Sequence, residues 1–217
     1  MLAKSKYESD EIPNTNAEHL FPMNFAGARN YIVERLSVEL ASNLYYHGLH
    51  HTLDVCRAVE HLARKENVTG NELVLLQTAA YFHDAGFLEQ YRDNEPIAVR
   101  IAGETLPRFD YSREQVEVIE NIILATRLPQ RPHTHLEQIM CDADLDYLGR
   151  EDYHTIANSL KSELIEYGII QVQSEKEWNA LQANFLQKHV YFTRTAQASR
   201  EPLKQQHLTE IRQKLGS

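Results

Sequence analysis

From Ala26 to Tyr167 the apolar residues recur at intervals of three and four, and no stretch alternates with the period of a β-strand. Ile32, Val33, Leu36 and Leu40 mark one helix over about 26–42, and Leu53, Cys56, Val59, Leu62 and Ala63 a second over about 50–66. The break Asn67-Val68-Thr69-Gly70 precedes a third over about 72–84, with Thr69 or Asn71 as its cap and Gly86 as its stop. Pro96 opens a fourth, which Pro107 closes. Ser112, followed by Gln115, starts a fifth over about 113–126, with Val116, Ile119, Ile122 and Ile123 on its apolar side. Beyond the loop with Pro129 and Pro132 come helices over about 135–147 and 151–167, then one or two more in the Gln-rich stretch 174–215. The expectation is an all-α bundle of about seven core helices with extra C-terminal helices, forming one domain over 24–217. Residues 1–23, polar and carrying Pro13 and Pro22, read as a loosely ordered arm.

The 217 residues carry a formal net charge of -9. That balance disfavours a sequence-blind grip on a nucleic-acid polymer, which needs a Lys/Arg surface. A local basic pocket for one phosphate stays compatible with it. The two cysteines, Cys56 and Cys141, lie far apart without CxxC spacing and predict reduced thiols in a cytoplasmic protein. No stretch approaches the roughly 18 apolar residues of a membrane span, and residues 1–8 lack an apolar leader, so no membrane partner is expected. The C-terminal helices read as a solvated face, with a homodimer contact as the alternative.

The run from Leu75 to Gly86 ends an apolar helix on the dipeptide His83-Asp84. Burying that pair is costly unless something pairs with it, and a divalent cation is the most economical partner. His47 and His51 are one turn apart if the helix has begun by His47, and Cys141–Asp146 adds Asp142, Asp144 and Asp146. Imidazole nitrogens mixed with carboxylate oxygens suit Mn²⁺, Fe²⁺, Zn²⁺, Ni²⁺ or Co²⁺ and, less well, Mg²⁺. The aspartates do not spell an EF-hand: counted from Asp142, Tyr147 and Tyr153 stand where Gly and Glu are needed.

The order His51, His83-Asp84, Ala143-Asp144 resembles the HD-domain superfamily of metal-dependent phosphohydrolases, over about 45–167. The segment Tyr46-His47-Gly48-Leu49-His50-His51-Thr52-Leu53-Asp54-Val55 is similar to that superfamily's first motif, which cyclic-nucleotide phosphodiesterases share. The resemblance implies His51, His83, Asp84 and Asp144 as ligands of one divalent ion, Asp144 being chosen over Asp142 on the family's Ala-Asp pairing. It implies His47 as the acid that protonates the leaving oxygen, Asp84 as a group that also positions water, and Asp54 as an acceptor that orients His51. Arg127, just after the fifth helix, is a candidate phosphate contact, and Arg131 a weaker one. Two-metal relatives carry further histidines where this chain has Asn94-Glu95 and Ala125-Thr126, so one ion is favoured; His133 and His135 remain sources of a second. The expected function is hydrolysis of a phosphate ester, of a nucleotide or similar small molecule, by metal-activated water. The alternatives are a catalytically silent module that senses a nucleotide, and a di-iron oxygenase, which the missing histidines disfavour.

Overall fold

The structure, a computed structural model, describes residues 23–216. The expected arm lies outside them, apart from Met23, which packs against the core. The α-helices are α1 (Phe25–Glu39), α2 (Leu49–Lys65), α3 (Gly70–Phe82), α4 (Asn94–Thr105), α5 (Arg113–Ala125), α6 (His135–Asp144), α7 (Tyr153–Glu166), α8 (Glu175–Lys188), α9 (Arg194–Ser199) and α10 (Glu201–Leu215). Short 3₁₀ turns follow α3, α4 and α6 at Ala85–Leu88, Leu106–Phe109 and Asp146–Gly149. No strand occurs among the described residues, and none of their helices is long and apolar enough to cross a membrane.

Helix α3 is the centre of the bundle. It packs against α1, α2, α4, α5 and α6. A helix surrounded on every side needs apolar residues on every side, and Leu76, Ala79, Ala80 and Phe82 are fully buried. His83 caps it, so the one polar pair of this segment stands at the end of the most enclosed helix. Helices α2 and α6 also pack together. That contact sets His51, in the first turn of α2, against Asp144, the last residue of α6.

Local signals place the helix ends. Ser112 and Gln115 form a reciprocal capping box at α5, and Thr134 and Ser174 cap α6 and α8 by accepting the N–H groups of Glu137 and Glu177. The role expected of Gly86 is different in the structure. Helix α3 has already ended at Phe82, and Gly86 lies in the following 3₁₀ turn, where a Cβ would sit 1.9 Å from the Asn94 carbonyl oxygen. Glycine is required there because two backbones touch, not because the helix stops.

The C-terminal stretch forms three helices rather than one or two. The chain is extended at His189, and the side chain of Asp142 accepts the N–H groups of Phe192 and Thr193 at 2.8 and 2.7 Å, which anchors the start of α9. Helix α10 then packs on α8 and on the 3₁₀ turn after α6.

Candidate metal centre and cavity

His83 donates Nδ1–H to the Ala80 carbonyl at 2.8 Å, which leaves its Nε2 lone pair facing the end of α3. That Nε2 lies 3.4 Å from Nε2 of His51, and both rings are buried. Asp144 Oδ1 is 3.2 Å from His51 Nε2 and 3.5 Å from His83 Nε2. Asp84 Oδ2 is 3.1 Å from His83 Nε2 and 3.4 Å from His51 Nε2, yet no donor reaches it with hydrogen-bond geometry. The ligand atoms of His51, His83 and Asp144 lie within 4.8 Å of one another.

These residues fit a divalent cation. Two imidazole nitrogens and two carboxylates converge, one carboxylate oxygen is buried without a partner, and the His83 tautomer is set by a backbone carbonyl. The potential is strongly negative. Burial opposes a charge on His83, but Asp84 and Asp144 outweigh it and raise its pKa well above the ordinary value. Burial likewise opposes ionisation of Asp144, yet the facing rings of His51 and His83 hold it below the usual carboxylate range.

His47 precedes α2 rather than lying on it, so its neighbourhood to His51 does not come from a helical turn. Its ring stacks on Phe87 at 4.3 Å and meets the His51 ring edge-on at 5.8 Å. Its Nδ1 is hydrogen-bonded to Glu163 Oε1. Glu163, on α7, is fully buried and also accepts the N–H groups of Tyr46 and His47, at 2.7 and 3.0 Å, and the hydroxyl of Tyr91 at 2.8 Å. Burial would raise the Glu163 pKa; the bond and charge of His47, with the backbone donors, hold it below its ordinary value.

Both parts open onto one cavity of about 420 Å³, a size ordinary for a small-molecule site. His47, Asp84, Asn94, Glu95, Thr126 and Asp144 form its polar end. The positions where two-metal relatives place histidines therefore do face the site, but they hold an amide, a carboxylate and a hydroxyl. The Thr126 hydroxyl is occupied, donating to the Ile123 carbonyl at 2.8 Å. The rest of the wall is mostly apolar and comes from α7 and α8: Ala157, Leu160, Leu164, Trp178, Leu181 and Phe185. No lysine or arginine lines the cavity among the described residues.

Several expected site residues lie elsewhere. Arg127 does not reach the cavity. Past the end of α5 the chain turns so that Thr126 and Leu128 line the cavity, while Arg127, more than half exposed, pairs with Asp93 at 2.8 Å. Asp54 does not orient His51; its carboxylate is taken by Arg150 at 2.7 Å and Arg57 at 3.1 Å. Asp142 turns away from the ligands to hold the start of α9. His133 and His135 are exposed, and His135 faces Glu66. Sequence reasoning missed Glu163, whose only signal is its place beside the apolar stripe Ala157, Leu160 and Leu164. It also missed the cavity wall built by α8.

Residues 48–146 match the family model of the HD domain. No curated protein and no solved structure matches the chain. The matched segment, a little under half of the chain, holds in order the four side chains that meet at the end of α3, and the match is consistent with the HD-domain superfamily of metal-dependent phosphohydrolases.

Proposed function

We propose that the chain hydrolyses a phosphate monoester of a small molecule whose organic part presents a ring with apolar faces, a nucleoside monophosphate being one such class. The observation that carries this reading is that the ligand cluster and His47 open onto the same polar end of one apolar-walled cavity. His51, His83, Asp84 and Asp144 would hold a divalent ion, which when bound would supply Lewis acidity toward a phosphoryl oxygen and toward water.

The chain's own residues supply the proton chemistry. Glu163 accepts Nδ1–H of His47, which leaves Nε2 as the ring atom that can carry a proton to the leaving oxygen. The buried carboxylate stabilises the imidazolium and fixes the ring against Phe87. Asp84 and Glu95 are the carboxylates at the polar end that can accept a proton from attacking water.

Charge supports a single phosphate. With no lysine or arginine in the cavity wall, a di- or triphosphate would bring negative charge that no side chain there neutralises.

The test is a panel of nucleoside monophosphates, aryl phosphates, and cyclic mono- and dinucleotides. Each is offered to chelator-stripped protein reloaded with Mn²⁺, Ni²⁺, Co²⁺, Zn²⁺ or Mg²⁺. The expected result is phosphate release from a monoester, lost in Asp84→Ala. Equal rates for wild type and Asp84→Ala in every case would sink the assignment. Tight nucleotide binding without product would identify the silent sensing module instead.

A further inference from the structure

We propose that His154, His207 and Glu210 form a second transition-metal site, on the surface between α7 and α10 and separate from the HD centre. The ligand atoms of these three residues lie within 4.8 Å of one another. Glu210 Oε2 is 3.3 Å from His154 Nε2 and 4.0 Å from His207 Nδ1. The two rings meet edge to face with centroids 5.3 Å apart. His207 and Glu210 stand three apart on α10 and so share a face, and His154 comes from the first turn of α7.

The observation that points to a ligand is the state of His207. The residue is only 5% exposed, and its Nδ1 is buried with no hydrogen-bond partner. Its Nε2 lies 2.8 Å from the carbonyl oxygen of Arg150, an acceptor that takes a hydrogen from the ring. The carbonyl therefore fixes the tautomer and leaves the Nδ1 lone pair facing Glu210. A metal-bound imidazole has this arrangement, with one nitrogen donating to a backbone carbonyl and the other free to coordinate. Left unpaired, a buried acceptor destabilises the fold. A cation would relieve that cost.

The surroundings are permissive. His154 and Glu210 are half-exposed, so an ion has an open approach. The nearby guanidinium of Arg150 is engaged by Asp54 and Asp152 and is not directed at the three ligands. Two imidazoles and one carboxylate suit Zn²⁺, Ni²⁺, Co²⁺ or Cu²⁺, with water completing the shell.

The site would tie α10 to the helix that carries Glu163. The His207 ring stacks on Tyr153 at 4.7 Å, and Tyr153 lines the catalytic cavity and donates its hydroxyl to Gln182, another lining residue. Metal at this site therefore braces one wall of the cavity without touching the HD ligands.

The experiment uses the full chain and Zn²⁺ alone. Stripped wild type and the double variant His154→Ala, Glu210→Gln are compared by calorimetric titration, and each is melted with and without zinc. His207 is kept because its Nε2–H and its ring hold the fold. The same pair of changes is also made in an Asp84→Asn, Asp144→Asn chain, where the HD centre is disabled. The expected result is one zinc equivalent fewer in the double variant on both backgrounds. A zinc-induced rise in Tm should survive loss of the HD centre and vanish with His154 and Glu210. Equal zinc uptake with and without the pair, or no uptake in the HD-disabled chain, overturns the proposal. Either outcome leaves the reading of the HD centre untouched, because that reading is measured by phosphate release.

Discussion

Glu163 and His47 are 116 residues apart in the chain, yet the buried carboxylate of one receives the ring N–H of the other and the backbone N–H groups that lead into α2. If Glu163 sets the His47 tautomer, Glu163→Gln should lower kcat by about 100-fold or more, the range lost with a positioned acid–base group. KM should change far less, and the limb of the pH–rate profile that reports His47 should move. A fall in stability with an unchanged pH profile would mean that Glu163 only fastens α7.

Asp142 and Asp144 are two residues apart and do opposite work. Asp142→Ala removes the acceptor of two N–H groups, those of Phe192 and Thr193, and should cost about 2–4 kcal/mol of stability. Asp144→Asn removes a proposed ligand facing His51 and His83 and should abolish metal retention while leaving the urea midpoint of the metal-free protein near the metal-free wild-type value. Denaturant unfolding paired with metal analysis of each variant separates the two roles.

Much of this was legible in the sequence, and the reason is distance along the chain. The start of helix α5 just after Ser112 is readable because its cap and its apolar period are both local, and the dipeptide His83-Asp84 is contiguous. Asp144 was readable only through the Ala-Asp pairing, since nothing local distinguishes it from Asp142; packing of α6 against α2 decides between them. Glu163 was not readable, because a glutamate beside an apolar stripe resembles any helix flank until α7 is docked on the segment before α2. Arg127 misled for the opposite reason. It adjoins Thr126, which does line the cavity, but outside a helix consecutive side chains face different ways.

Arg127→Ala should therefore leave kcat/KM within about twofold of wild type, since an exposed pair with Asp93 contributes roughly 0–1 kcal/mol. A loss of tenfold or more in steady-state assays would return Arg127 to the substrate.

Leu164 lines the apolar part of the cavity. Leu164→Trp should raise KM for the larger esters by about tenfold or more, with kcat for the smallest ester nearly unchanged, the pattern of lost uniform binding. Comparing esters of graded size on the same variant measures this, and an equal loss for every size would place the organic group elsewhere.

Stability should fall in mild acid through His189. Burial, followed by the ammonium of Lys204, lowers its pKa to about 4. The folded chain thus keeps the ring neutral between pH about 6.5 and 4 while the unfolded chain takes up a proton. The full contribution is present above pH about 6.5 and is lost as pH falls through the folded value, on the order of 3 kcal/mol at most. Urea unfolding of wild type and His189→Gln across that window should show a shallower decline in the variant. Parallel curves would assign the acid sensitivity to other groups.

The four residues proposed to hold a metal all fall within residues 48–146, whereas the apolar lining Ala157, Leu160, Leu164, Trp178 and Phe185 belongs to α7 and α8 beyond that segment. Under the proposed function, reactivity and selectivity thus sit on separate lengths of polypeptide, with Glu163 the main residue that bridges them. Such a division lets the tail drift toward new compounds while the reacting centre stays intact. Grafting residues 150–217 between relatives that keep a glutamate in the place of Glu163 would then exchange what is accepted and preserve how it is cleaved.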